Sequence, residues 1–234
     1  MTDDFWTASA ITPVAQSAFG ARIAAFDPGA PVPDPWSRPG ELVPLPPTAD
    51  PLDEVVRNRR SGRQFAPSPL SADDLGAVLG ALAADADGHR SYPAAGALYA
   101  VTVVAWLYRV EHPLHGRTVQ FDPLQRALVD LGPAPTWAEE SVAVTGEPAG
   151  DPPPVLLGLF ANLDVLRAKY GDRGDRFALL EAGEILQVLS LAVAARHLAG
   201  YAIGGSVDQR MIALAHLPAT GARFVISYAF GRPA

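Results

Sequence analysis

Residues 175–197 read DRFALLEAGEILQVLSLAVAARH, the longest stretch of the chain that is rich in Ala and Leu and free of proline. That composition predicts a long helix. Gly183 and the run Ala192–Ala195 keep part of its surface small, which lets another helix approach closely. The apolar region 185–203 contains Gln187, Arg196 and His197. Such groups at the centre of a membrane span are costly, so a buried helix is expected rather than an anchor.

Outward from this helix the pattern mixes strands and helices. PPVLLGLFA (153–161) is a short apolar run bounded by prolines and reads as a core strand, and YAVTVVAWLYRV (99–110) as a second buried strand rich in β-branched and aromatic residues. GRTVQFD (116–122) reads as its hairpin partner and DPLQRALVDL (122–131) as a helix. Downstream, YAIGGS (201–206) is a short strand or turn, DQRMIALAHL (208–217) a helix and RFVISYAFG (223–231) a final strand. Upstream, PLDEVVRNRR (51–60) and SADDLGAVLGALAA (71–84) read as helices, with Ser71 as N-cap and Asp74 completing a capping box. Without strict βαβ alternation, the class is α+β.

Residues 27–51 hold nine prolines and predict an extended arm. The expected organisation is an appendage over 1–50, with a weak amphipathic pattern before the arm, followed by one domain over 51–234. MTDDFWTASA is acidic and does not read as a secretory signal, so a cytoplasmic location is expected. The net charge of −7 provides no general field toward nucleic acid or an anionic membrane, and any anion site must be local. No cysteine is present, which removes disulfides and thiolate chemistry. The five histidines show no metal-ligand spacing, and there is no G-x-S-x-G elbow.

Four stretches are candidates for chemistry. In RNRRSGRQF (57–65), where Arg57, Arg59, Arg60 and Arg63 cluster, Arg59, Ser61 and Arg63 at a spacing of two share one side of an extended chain and could clamp a phosphate. A solvated basic helix end explains the same cluster. The bend Tyr92-Pro93-Ala94-Ala95-Gly96 is small enough to approach a flat ligand. Ile203-Gly204-Gly205 could present backbone N–H groups or merely turn. Arg232 in the terminal FGRPA matters only if the last strand is docked. Finally, Lys169, next to Tyr170 in LDVLRAKYGDRGDRF (163–177), is the only lysine beside seventeen arginines.

In this order, RRSGRQF followed by PLSADDL, YPAAGALYAVTVV, RAKYGDR, EAGEILQVLSLAVAA, IGGSVD and FGRP resemble the flavin-dependent nitroreductase superfamily, and more closely its SagB-type dehydrogenases. Those enzymes oxidise azoline rings in thiazole- and oxazole-modified peptides. The resemblance spans roughly Pro51 to Pro233. It implies a mostly antiparallel sheet flanked by helices, with the long helix at the interface of a homodimer that holds FMN between its subunits. It also implies that Arg59, Arg60, Ser61, Arg63 and Arg232 hold the phosphate and polar ring edge, while Tyr92 to Gly96, Gln187 and Ile203 to Gly205 lie against the flavin. Lys169 and Tyr170 align with the lysine-tyrosine pair associated with azoline oxidation. A lysine can act as the base there if burial favours its neutral form, a role arginine cannot fill.

The sequence departs from the family pattern at Ala94, where serine is common, at Glu184 and Val188, where histidine and asparagine are common, and at Phe177, where tyrosine is frequent. The leading expectation is dehydrogenation of an azoline or related peptide-derived substrate, with a cyclodehydratase or other biosynthetic enzyme as partner. An NAD(P)H-dependent nitro or quinone reductase and a non-catalytic binding subunit are the alternatives.

Overall fold

The computed structural model describes residues 4–25, 44, 50–145, 150–217 and 221–234. The proline-rich arm expected over 27–51 therefore falls almost wholly outside the described residues.

The core is a six-stranded sheet in which every pairing is antiparallel. In chain order its strands are β2 (Val101–Leu107), β4 (Arg117–Asp122), β5 (Ala127–Pro133), β6 (Val155–Asn162), β7 (Ala199–Ile203) and β8 (Ala222–Gly231), arranged β5-β4-β2-β6-β8-β7. Two-residue strands β1 (Leu70–Ser71) and β3 (Val110–Glu111) pair separately. The predicted hairpin of β2 and β4 is present, with Ala105 opposite Val119.

Alternation along the strands builds a core on each face. On one side Val101, Val103 and Ala105 of β2 meet Val155, Leu157 and Leu159 of β6 beneath helices α4 (Ala72–Gly80), α6 (Leu163–Tyr170) and α7 (Gly174–Ala195). On the other, Val104 and Trp106 meet Leu156 and Phe160 beneath α5 (Trp137–Thr145) and α8 (Asp208–Leu214). Ser71 caps α4 by accepting the Asp74 N–H at 3.1 Å, as its spacing predicted.

The long helix is present but buried on one face only. Ala178, Ala182, Ile185, Leu189 and Val193 point into the core at helical spacing. Burying each large one contributes about 1.5–3 kcal/mol. Leu180 is 60% exposed on the other side, and a side chain at Gly183 would meet nothing within 4 Å. The segment Leu163–Ala195 is apolar enough to cross a membrane by length and composition, but that criterion alone also admits core helices of this kind.

One predicted helix is a strand. In 122–131, Leu124, Leu128 and Leu131 fall at helical spacing, but the Asp122 carboxylate accepts the N–H groups of Leu124 (2.9 Å) and Gln125 (3.1 Å). Arg126 then takes a left-handed φ of 48° and turns the chain into β5. This Asx turn competes successfully with helix formation.

Two helices precede the domain, α1 (Asp4–Ser9) and α2 (Pro13–Ala24), and both are tied to it. Trp6 is 7% exposed and its indole N–H donates to Asp175 at 3.2 Å, while Gln16 Nε2 donates to the Gly205 carbonyl at 3.0 Å. Helix α3 (Pro51–Asn58), which follows them in the chain, is capped by Asp50, which accepts the Asp53 N–H.

Candidate active site

Strand β6 passes directly into α6, where Asn162 caps by accepting the Asp164 N–H at 3.2 Å. Leu163 and Leu166 bury one side of this short helix and leave Lys169 exposed on its last turn. Gly171, at φ 58°, ends it. The Arg167 guanidinium closes the turn by donating to both oxygens of Asp175 at 2.8 Å. That ion pair, helped by the Trp6 indole, holds the Asp175 carboxyl below its ordinary range. The Tyr170 ring packs edge-on against Phe177 with centroids 4.9 Å apart, and Lys169 Nζ lies 5.3 Å from the Tyr170 centroid.

The Lys169 amine and the Tyr170 hydroxyl meet at the bend before β2. Gly96 has φ 60°, and a side chain there would collide with both Lys169 Nζ and the Tyr170 hydroxyl. Ala97 (φ 55°) and Tyr99 (φ 46°) are also left-handed, a conformation that costs a non-glycine residue energy and survives only where its surroundings impose it. Glu181 of α7 supplies part of that constraint. It is 1% exposed, and its two oxygens accept the N–H groups of Ala100 (3.2 Å) and Val101 (2.9 Å) immediately after the bend. Burial pushes its carboxyl up, against the two backbone hydrogen bonds.

A second feature lies along α7. Arg59, Ser61, Gln187, Ser190, Tyr201 and Tyr228 line an open cleft of about 340 Å³ between the end of α3, α7 and β7. The chain after α3 is held there because Gly62 N–H donates to the Gly200 carbonyl at 3.1 Å. Arg63 stacks its guanidinium over the Tyr201 ring at 5.5 Å. Among the described residues neither Arg59 nor Arg63 pairs with a carboxylate. Burial pushes the Tyr228 hydroxyl up to about 12 despite the nearby Arg59 charge, so it stays protonated and can donate.

The other sequence candidates fall in different places. Arg60 folds back, donating to the carbonyls of Arg57 and Arg59. Tyr92 is buried and takes a hydrogen bond from Arg90 at 2.7 Å, so within the bend it is Ala94, Ala95 and Gly96 that keep some exposure, next to an exposed Pro93. Ile203 continues β7 out of the cleft, Gly204 is open, and a side chain on Gly205 would meet Phe19 of α2 at 3.7 Å. The C-terminus is docked, because Ala66 N–H donates to the Arg232 carbonyl and Phe65 bridges Pro233. The Arg232 side chain is exposed and its charge reaches Asp74, which Arg196 also binds at 2.6 Å. Sequence reading missed Glu181, which carries no local signal, and Trp6, whose partner is 169 residues away.

A sequence profile described as the Nitroreductase family matches residues 56–232. A Methanocaldococcus jannaschii protein that bears a nitroreductase name is 26% identical over 162 residues, which is 68% of this chain and 81% of that protein. Among solved structures, the Escherichia coli microcin synthetase McbBCD complex with truncated pro-MccB17 bound contains a chain with a similar fold. It superimposes with a TM-score of 0.77 at 21% identity, covering 99% of this chain and 91% of that one. A Ralstonia eutropha protein described as a nitroreductase gives a TM-score of 0.66 at 20% identity, covering 82% of this chain and 88% of that one. With a match that spans most of the sequence and a fold that agrees, the chain belongs to the nitroreductase family.

Proposed function

We propose that this oxidoreductase is an FMN-dependent dehydrogenase that aromatises an azoline ring, thiazoline or oxazoline, in a peptide or peptide-derived substrate. The observation that carries this reading is the convergence of Lys169 Nζ and the Tyr170 hydroxyl on Gly96. Aromatisation removes a proton from the ring carbon next to the peptide carbonyl and a hydride from the neighbouring carbon. A basic group at a fixed point is therefore required, and a reductase fed by a nicotinamide has no such need.

The residues of the cleft suit FMN. Arg59 in its lining and Arg63 beside it, over the Tyr201 ring, offer positive charge without a carboxylate partner among the described residues, while Ser61, Gln187 and the Tyr228 hydroxyl add polar contacts. When bound, FMN would supply the hydride acceptor, with O2 as the final oxidant. Lys169 takes the substrate proton at Nζ, and Tyr170 orients or relays it. Lys169 is exposed in the single chain, so in this reading substrate and a second subunit supply the cover that excludes water from it.

A homodimer packed on the open face of α7 supports this arrangement. Phe177, at the Lys169 corner, and Gln187, in the cleft, are ten residues apart on one helix. That is a rise of about 15 Å. A two-fold interface along α7 brings the cleft of one subunit toward the corner of the other. A cyclodehydratase would supply the azoline, in keeping with the peptide-bound synthetase complex that this fold resembles. The net charge of −7 favours neither nucleic acid nor an anionic membrane as partner, and we place the protein in the cytoplasm.

The nitroreductase name of the archaeal relative supports a second reading, an NAD(P)H-dependent nitro or quinone reductase. Two measurements separate them. The protein loaded with FMN and mixed in air with a synthetic peptide carrying one thiazoline should remove two hydrogens, read by mass. Stopped-flow mixing with NADPH should reduce the flavin slowly. Fast reduction without thiazoline oxidation would favour the reductase, and a protein that takes up no FMN would overturn both.

A further inference from the structure

The family match begins at residue 56, yet the comparison with the microcin synthetase chain covers 99% of this chain. The helices before the family domain are therefore a built part of the structure, and their contacts are not scattered. At one end, Trp6 buries its indole against α7 and donates to Asp175, the residue that receives both donors of Arg167. Arg167 is two residues before Lys169. At the other end, Gln16 donates to the Gly205 carbonyl, Phe19 lies 3.7 Å from the Cβ position of Gly205, and the Ile11 N–H donates to Asp208 at 3.0 Å. One segment of about twenty residues thus joins the helix that carries Lys169 to the loop that leaves the cleft.

α6 has eight residues, too few to hold its own direction in water. Only Leu163 and Leu166 bury it, both in its first half. Its last turn depends on the Arg167–Asp175 pair, the Tyr170–Phe177 contact and the closure on Gly96. Trp6 strengthens the first of these, because its N–H satisfies an Asp175 oxygen and its ring keeps water from a partly buried ion pair.

We propose that α1 and α2 clamp the active site and that Trp6 is a positioning residue for Lys169 and Tyr170. This rests on the reading of Lys169 as the base, so the test uses a property of Lys169 that does not depend on turnover. As the only lysine, Lys169 can be followed by amine labelling with trinitrobenzenesulfonate and peptide mapping, in the full chain, with and without FMN. Trp6→Phe keeps an aromatic ring, smaller than the indole, and loses the N–H. Its Lys169 should label about fivefold faster at fixed pH, the equilibrium weight of one hydrogen bond. Gln16→Ala, on a half-buried side chain of α2, should leave the fold intact and raise the rate by a smaller factor.

In the FMN-loaded protein, Trp6→Phe should lower kcat for a thiazoline peptide about tenfold with FMN affinity unchanged. Unchanged labelling in both variants overturns the clamp, whatever the protein's substrate proves to be. If Trp6→Phe fails to fold, the labelling rate of Gln16→Ala decides alone. Altered labelling together with a wild-type protein that oxidises no thiazoline would keep the clamp and remove the proposed reaction instead.

Discussion

The two ends of α7 are built on different principles. At the Arg59 end, charged and polar side chains stand on separate elements with space between them, and the cleft of about 340 Å³ stays open. At the Phe177 end, side chains close on one another until the Lys169 amine and the Tyr170 hydroxyl leave no room for a carbon on Gly96. The first arrangement suits binding an anion that brings its own bulk. The second suits holding a reactive group at one point, where a small displacement is costly.

The sharpest way to break this contrast is at Gly96. Gly96→Ala puts a side chain at φ 60° and against both Lys169 and Tyr170. The left-handed conformation costs about 1 kcal/mol in stability. Displacing the amine should cost about 10²-fold in turnover. A thermal melt and a thiazoline-peptide assay separate the two. Arg59→Ala inverts the pattern. Losing a hydrogen bond to a charged group costs about 1.5–3 kcal/mol, so FMN should bind about ten- to a hundredfold more weakly in a titration. Turnover at saturating FMN should change little.

Acid gives a smaller and more selective test. The Arg167–Asp175 pair depresses the Asp175 carboxyl, so its stabilisation is fully present above the unfolded carboxylate range and is lost as pH falls through the folded value. The Arg59 end has nothing comparable, since Tyr228 titrates near 12 and its contribution is lost only as pH rises through that value. Acidification should therefore loosen the Lys169 corner before the cleft, seen as faster amide hydrogen exchange over α6, relative to the intrinsic rate at each pH, while FMN stays bound. Asp175→Asn should exchange its α6 amides fast at neutral pH and show little further change, relative to the intrinsic rate, on acidification.

What the sequence reveals follows the same division. The Arg59 cluster is legible by residue type and spacing, because arginines two apart with a serine between them mean something wherever the chain goes. The central strands are legible because VTVVAWL and VLLGLF are buried on both faces and read as unbroken apolar runs. Edge strand β5 misleads because it is largely exposed, so its leucines no longer report a buried face and fall by chance at helical spacing. α5 carries a signal that passes unread: Thr136 and Glu139 form a capping box in which the Glu139 carboxylate accepts the Thr136 N–H at 3.0 Å. The corner is less legible. Lys169 stands out only by its rarity, and Trp6, Asp175 and Glu181 act through partners distant in sequence that no local pattern announces.

Lys169→Arg tests the central claim most directly. The substitution keeps the positive charge but removes the capacity to act as a base near neutral pH. The account predicts that the variant binds FMN as the wild type does and no longer oxidises a thiazoline peptide. Wild-type oxidation by Lys169→Arg would contradict it and remove Lys169 from the chemistry.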